Sequence, residues 1–121
     1  MRAIRFRGKR IDNGEWVYGA FYPIKNENVY FIINNCKSLN FDDDDTTFNG
    51  YKVHKKSVGQ FTGLFDKNGK EIYEKMELNN TFIIKWLNFR YVLFYISDLT
   101  IFKEIFDYEN KLEITGEYTE L

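Results

Sequence analysis

The sequence predicts a mainly β fold: a single compact domain over residues 1–121, built of antiparallel hairpins that form a twisted sheet or a partly open barrel. One short helix is expected near the C-terminus. Three observations lead there. Aromatic residues make up 19% of the 121-residue chain, with nine Tyr and twelve Phe, and such side chains suit a pleated, half-buried surface. Apolar and polar residues alternate with period two in several stretches. Asn- and Gly-containing clusters that favour reverse turns separate those stretches.

Arg2 to Arg10 alternates, with Ile4 and Phe6 on one side and Arg5, Arg7 and Lys9 on the other. Asp12-Asn13-Gly14 then reverses the chain, and Glu15 to Tyr22 reads as the returning strand of a hairpin. Asn28 to Ile33 is a third strand, too uniformly apolar to show which face is buried. Asn34 to Gly50 is a long polar loop carrying Asp42 to Asp45, and Tyr51 to Lys56 is a further short strand.

Ser57 to Glu74 holds the most specific local pattern. Gly59 and Gly63 bracket Phe61, which predicts a kink or bulge that turns the chain and anchors one aromatic in the core. Asp66-Lys67-Asn68-Gly69 is a turn between the apolar pairs Leu64-Phe65 and Ile72-Tyr73. Leu78 to Leu87 and Tyr91 to Ser97 read as two longer strands joined at Asn88-Phe89-Arg90. Leu99, Phe102, Ile105 and Phe106 keep helical spacing behind a Ser97 or Asp98 cap, which predicts the helix. Lys111 to Tyr118 alternates again, as a last strand.

The segments GEWVYG (Gly14 to Gly19), VGQFTGL (Val58 to Leu64), DKNGKEIYE (Asp66 to Glu74) and ITGEY (Ile114 to Tyr118) together resemble the YopX family of small phage and prophage proteins. The resemblance spans nearly the whole chain. It implies a mostly β fold and a phage or prophage origin, and it carries no accepted catalytic residues. The family pattern continues after Ile-Tyr-Glu with Gly-Asp, whereas this chain has Lys75-Met76, which puts a glycine-dependent turn there in question.

Composition narrows the chemistry. Net charge is −1, so the whole protein is no electrostatic magnet for nucleic acid or an anionic membrane. Charge is nevertheless segregated: residues 1–10 hold five basic and no acidic side chains, and residues 98–121 hold seven acidic ones. Cys36 is the only cysteine and His54 the only histidine, which excludes an internal disulfide and a cysteine-rich zinc site. They are read as an incidental cysteine and a surface histidine rather than as a nucleophilic pair. Asp42 to Asp45 fails the calcium-loop template, because the sixth position is Thr47 and the twelfth Val53. Whether that run binds a divalent ion or is simply a solvated loop is left open by its spacing. No cofactor is expected. No apolar segment follows the basic N-terminus and the longest apolar stretch is interrupted by charge, so a cytoplasmic protein without membrane contact is expected, the resemblance implying a bacterial host cell.

The best binding candidates are Arg5, Arg7 and Lys9 on one strand face, with Tyr18 on the partner strand. Cations beside aromatic rings on a sheet suit single-stranded nucleic acid, with phosphates on Arg or Lys and bases on Tyr. The leading expectation is different: a non-enzymatic β module that acts through a protein partner or as a homo-oligomer, because a surplus of Tyr and Phe makes good interfaces. Nucleic-acid binding is the alternative.

Overall fold

The computed structural model describes residues 5–34, 49–108 and 110–117. Cys36 and the Asp42 to Asp45 run lie outside them. The described chain is all strand, turn and 3-10 turn, arranged in antiparallel sheets, and it divides into two compact units, residues 4–59 and residues 60–121 with 1–3.

The first unit contains β1 (Phe6–Lys9), β2 (Trp16–Ile24), β3 (Val29–Asn34) and β4 (Asn49–Lys52), in the spatial order β4-β3-β2-β1. The expected Asp12-Asn13-Gly14 turn joins β1 to β2. Gly14 takes φ +72° and donates its N–H to Arg10, and the Asn13 side chain accepts from Glu15 N–H at 2.9 Å. Register places Phe6 opposite Gly19 and Phe21 opposite Ile32, so one face gathers Phe6, Phe21, Tyr30, Ile32 and Val53. Phe6 and Phe21 rings lie 5.5 Å apart, and Phe21 stacks on Tyr30 at 6.1 Å. The strand expected over Tyr51 to Lys56 ends early, at Lys52, and Lys55–Ser57 forms a 3-10 turn. Just beyond β4, Val53 bridges to Arg10 just beyond β1, and His54 N–H donates to Lys9 C=O at 3.0 Å. The sheet therefore curls until its two ends meet at a bridge, which is too short to make a closed barrel. Two glycines permit this: a Cβ on Gly8 would touch Val53 at 3.0 Å, and one on Gly19 would sit 2.1 Å from the Ile33 carbonyl oxygen.

In the second unit, β5 (Gly59–Phe65) and β6 (Glu71–Tyr73) form a hairpin. The expected bulge is present: the register shifts between Phe61 and Phe65 where Gly63 takes φ +84°, and Phe61 is buried in the core. A five-stranded sheet holds β7 (Met76–Leu78), β8 (Phe82–Leu87), β9 (Arg90–Tyr95), β10 (Asp98–Glu104) and β11 (Ile114–Glu117), in the order β10-β9-β8-β7-β11. Phe61, Ile72, Tyr73, Met76, Leu78 and Phe82 are among the side chains of one continuous buried cluster.

The Asp66 turn does more than close a hairpin. The Asp66 carboxylate is buried, yet it accepts N–H bonds from Asn68 and Lys70 at 2.9 Å each and from Ile114 at 3.2 Å. Lys67 N–H donates to Leu112 C=O at 2.8 Å alongside. Burial pushes this carboxyl up, but the three backbone donors outweigh it and hold it below the ordinary Asp value. One side chain thus ties the central hairpin to the last strand.

Two expectations fail here. Leu78 to Leu87 is not one strand: Asn79 and Asn80 both take left-handed φ (56° and 53°) and separate β7 from β8. Asn79 then exchanges bonds with Glu113, donating from its backbone to Glu113 C=O and accepting Glu113 N–H on its side chain. The helix near the C-terminus is absent as well. Asp98–Glu104 is strand β10, and only Ile105–Tyr108 turns, as a 3-10 turn. Asp98 spends its carboxylate on the Thr100 N–H and hydroxyl, an Asx turn rather than a helix cap, and Phe102 pairs with Phe94 on β9. Ladder pairing to a neighbouring hairpin overrides a weak helical periodicity. The glycine-dependent turn after Glu74 survives without its glycine: Lys75 takes φ +70° and donates its N–H to Ile84 at 2.9 Å.

Candidate functional site

Two surfaces, one in each unit, carry the side chains that could meet a partner. In the first unit, register settles the facing of the candidate residues. Arg7 lies opposite Tyr18 and Lys9 opposite Trp16, so Arg5, Arg7 and Lys9 share a face with Trp16 and Tyr18. Tyr22 opposite Phe31, itself opposite Lys52, extends the same face across β3 and β4. Among the described residues the ladder places four cations here (Arg5, Arg7, Lys9 and Lys52) and no carboxylate.

These candidates are not equivalent. Arg7 is only 2% exposed, and its guanidinium lies 3.8 Å from the centroid of the Trp16 ring. A desolvated cation over an indole is worth about 2 kcal/mol, so Arg7 is a structural stack. Arg5 is half-buried. Lys9 is exposed and reaches to 5.7 Å from the same Trp16 ring. Its backbone is clamped, with Lys9 N–H donating to the Ser57 hydroxyl at 2.7 Å and its carbonyl accepting from His54. Tyr18 and Tyr22 are 45% and 47% exposed, and Lys52 is exposed. Arg10 points elsewhere: it holds Asp12 in an exposed two-bond pair at 2.9 and 2.6 Å, which raises its own pKa and lowers that of Asp12, and it lies over Tyr51. The accessible part of the face is therefore Lys9, Tyr18, Tyr22 and Lys52, with Arg7 and Trp16 as its support. Period-two spacing from Tyr18 places Trp16 on this face, but only the ladder adds Lys52.

In the second unit several large apolar side chains are exposed. Trp86, Phe89, Leu99, Ile101, Phe102 and Phe106 are all more than two-fifths exposed or close to it, Phe89 at 92%. Trp86 meets Tyr91 edge-on at 4.8 Å on one face of β8–β9, while Phe102 meets Phe94 at 5.8 Å on the other. Single exposed apolar residues are ordinary, but three on one edge strand, Leu99, Ile101 and Phe102 of β10, make an apolar edge of the kind found at interaction sites. The nearest charge at the hairpin end is neutralised. Arg90 Nε lies 2.9 and 3.0 Å from the two Glu104 carboxylate oxygens, which raises the Arg90 pKa and lowers that of Glu104. In the sequence, Asn88-Phe89-Arg90 reads only as a connection. The signal that marks it is Phe at a hairpin position where glycine is the usual choice.

His54 is exposed, as expected of a surface histidine. Among the described residues no three His, Cys, Asp or Glu side chains come together to hold a metal ion, and no helix is long and apolar enough to cross a membrane.

The family model described as YopX protein matches residues 5–118. The chain belongs to the YopX family. No curated protein matches it. The matched span covers both surfaces, since the YopX match runs from Arg5 through Lys9, Tyr18, Phe89 and Phe102. It also covers GEWVYG, VGQFTGL and DKNGKEIYE, so the YopX segments are the first hairpin turn with β2, the bulged strand β5, and the Asp66 turn with β6.

Proposed function

We propose that this YopX-family chain is a non-enzymatic accessory protein of a phage or prophage, working in the cytoplasm of a bacterial host as a protein-interaction module. The phage setting rests on the family resemblance. The interaction reading rests on one observation: the exposed apolar side chains of β10, of the 3-10 turn after it and of the β8–β9 hairpin end, where Ile101, Phe106 and Phe89 are each more than half exposed. Leaving such surface in water is unfavourable by roughly 25 cal/mol per Å², and contact with a partner recovers it. Affinity capture from prophage-carrying cells tests this, comparing nuclease-treated and untreated lysates. The reading expects the same protein partners in both and their loss on Ile101→Lys. Capture that disappears on nuclease treatment would contradict it.

A second reading is supported by the first unit. Lys9, Lys52, Tyr18 and Tyr22 share an exposed face without a carboxylate among the described residues, a suitable platform for single-stranded nucleic acid. It predicts oligonucleotide binding that weakens steeply with salt and a salt slope reduced by about 0.7 for each lysine removed. Fluorescence anisotropy at low salt that stays flat for poly-pyrimidine and mixed oligonucleotides ends this reading.

A further inference from the structure

The β8–β9 hairpin closes with two residues, Asn88 and Phe89, between the paired positions Leu87 and Arg90. Both take positive φ, 49° and 69°. This is the backbone of a tight hairpin turn whose second position glycine fills most easily, because an L side chain there crowds its own backbone. Elsewhere among the described residues the chain obeys that rule: Gly14, Asn28, Gly69, Asn79, Asn80 and Asn110 occupy left-handed turn positions, with Lys75 as the one further exception. At position 89 it places a bulky aromatic instead, and the ring is 92% exposed. Packing within its own fold does not account for a strained residue that touches so little. A strained position with an exposed aromatic is what a contact residue looks like before its contact is made.

The surroundings indicate the occupant. Residues 86–91 carry one charge, Arg90, which Glu104 neutralises through both carboxylate oxygens. Lys85, just before them, is also engaged. The tip therefore offers no free cation to phosphate or to an anionic lipid. A two-fold contact brings each group near its own copy, so a patch that carries unbalanced charge repels itself. The cationic face around Lys9 and Lys52 would do so. The tip would not, and Trp86, half exposed one strand pair before the turn and edge-on to Tyr91, supplies a second ring on the same hairpin.

We propose that the β8–β9 tip is a self-association site, in which Phe89 and Trp86 of one copy pack against the same residues of a second copy. This rests on the protein-interaction reading and names its partner as the chain itself. The contact is small, so the dimer is weak and forms in the high-micromolar range. Because it is apolar and internally charge-balanced, salt has little effect on it.

Sedimentation velocity of the full chain, from about 10 µM to about 1 mM at low and high salt, reads this directly. The expected result is a reversible, salt-insensitive rise in weight-average sedimentation coefficient. Phe89→Gly should weaken association at least about tenfold while raising the thermal midpoint, since glycine relieves the turn. Trp86→Ala should weaken association too. Association unchanged in both variants overturns the proposal and leaves the protein-interaction reading standing on another surface. A wild-type chain that stays monomeric over the whole range overturns it as well, and capture of other proteins then decides the broader reading separately. Association that disappears at high salt also overturns it, because oppositely charged chain ends would then be the cause.

Discussion

The two units spend their aromatic side chains in different ways. In residues 4–59 rings pair with cations as well as with one another: beside the Phe6–Phe21–Tyr30 cluster, Trp16 covers Arg7 and Tyr51 lies under Arg10. In residues 60–121 rings pair with rings, as in Phe61–Tyr73, Phe82–Tyr108 and Trp86–Tyr91, and the main cation at the hairpin end, Arg90, is given to a carboxylate. The first arrangement leaves a positively charged outer face with its cations held in place. The second leaves an apolar hairpin tip whose one cation is balanced by Glu104. The two units thus present different surfaces, and the contrast lies in which side chains the ladders set opposite one another.

The largest expected effect is on the pin that holds the second unit together. Asp66→Ala removes a buried carboxylate that satisfies three backbone N–H groups, leaving them unpaired, and should cost about 3 kcal/mol in urea denaturation. The same group sets an acid limit. Its folded pKa lies below its unfolded value, so its contribution is fully present above about pH 4 and is lost as pH falls through the folded value. Denaturation midpoints of the wild type and of Asp66→Asn measured from pH 6 to pH 2 should converge at the acid end, where the wild-type carboxyl is also protonated. Parallel curves would show that the titration of Asp66 does not matter.

Next is the support of the cationic face. Arg7→Ala removes a buried stack on Trp16 and should destabilise by about 2 kcal/mol. Lys9→Ala, on the same face but exposed, should stay within about 0.5 kcal/mol. Equal effects of the two would mean that the face does not divide into support and accessible surface. The smallest effect is at the turn after β6. Lys75→Gly places glycine at φ +70° and should stabilise by about 1 kcal/mol. Thermal denaturation of the single variant measures it.

Much of the fold is legible in the sequence because its signals are local. Asp12-Asn13-Gly14, the Gly63 bulge and Asp66-Lys67-Asn68-Gly69 specify backbone angles directly, and the structure has each where it is expected. What fails is set by distant partners. Asn79 interrupts an apolar run because its side chain and backbone meet Glu113, more than thirty residues away. Leu99 to Phe106 has helical spacing, but β9 offers Phe102 a ladder. The candidate face is half legible: alternation puts Arg5, Arg7 and Lys9 together, while the burial of Arg7 under Trp16 and the arrival of Lys52 depend on strand register. Phe89 was hidden for the opposite reason. Its significance is a conflict between residue and backbone: Phe stands where a two-residue hairpin favours glycine, and only the register shows that the turn has two residues.

The contrast between a charged face and a neutral tip is tested most directly by amide and indole N–H chemical shifts followed as the concentration of isotope-labelled chain is raised. The expected result is progressive, salt-insensitive shifts confined to residues 85–91 and the Trp86 indole, with Lys9, Tyr18 and Tyr22 unmoved. Concentration-dependent shifts centred on Lys9, Tyr18 and Tyr22, with the β8–β9 tip silent, would contradict it.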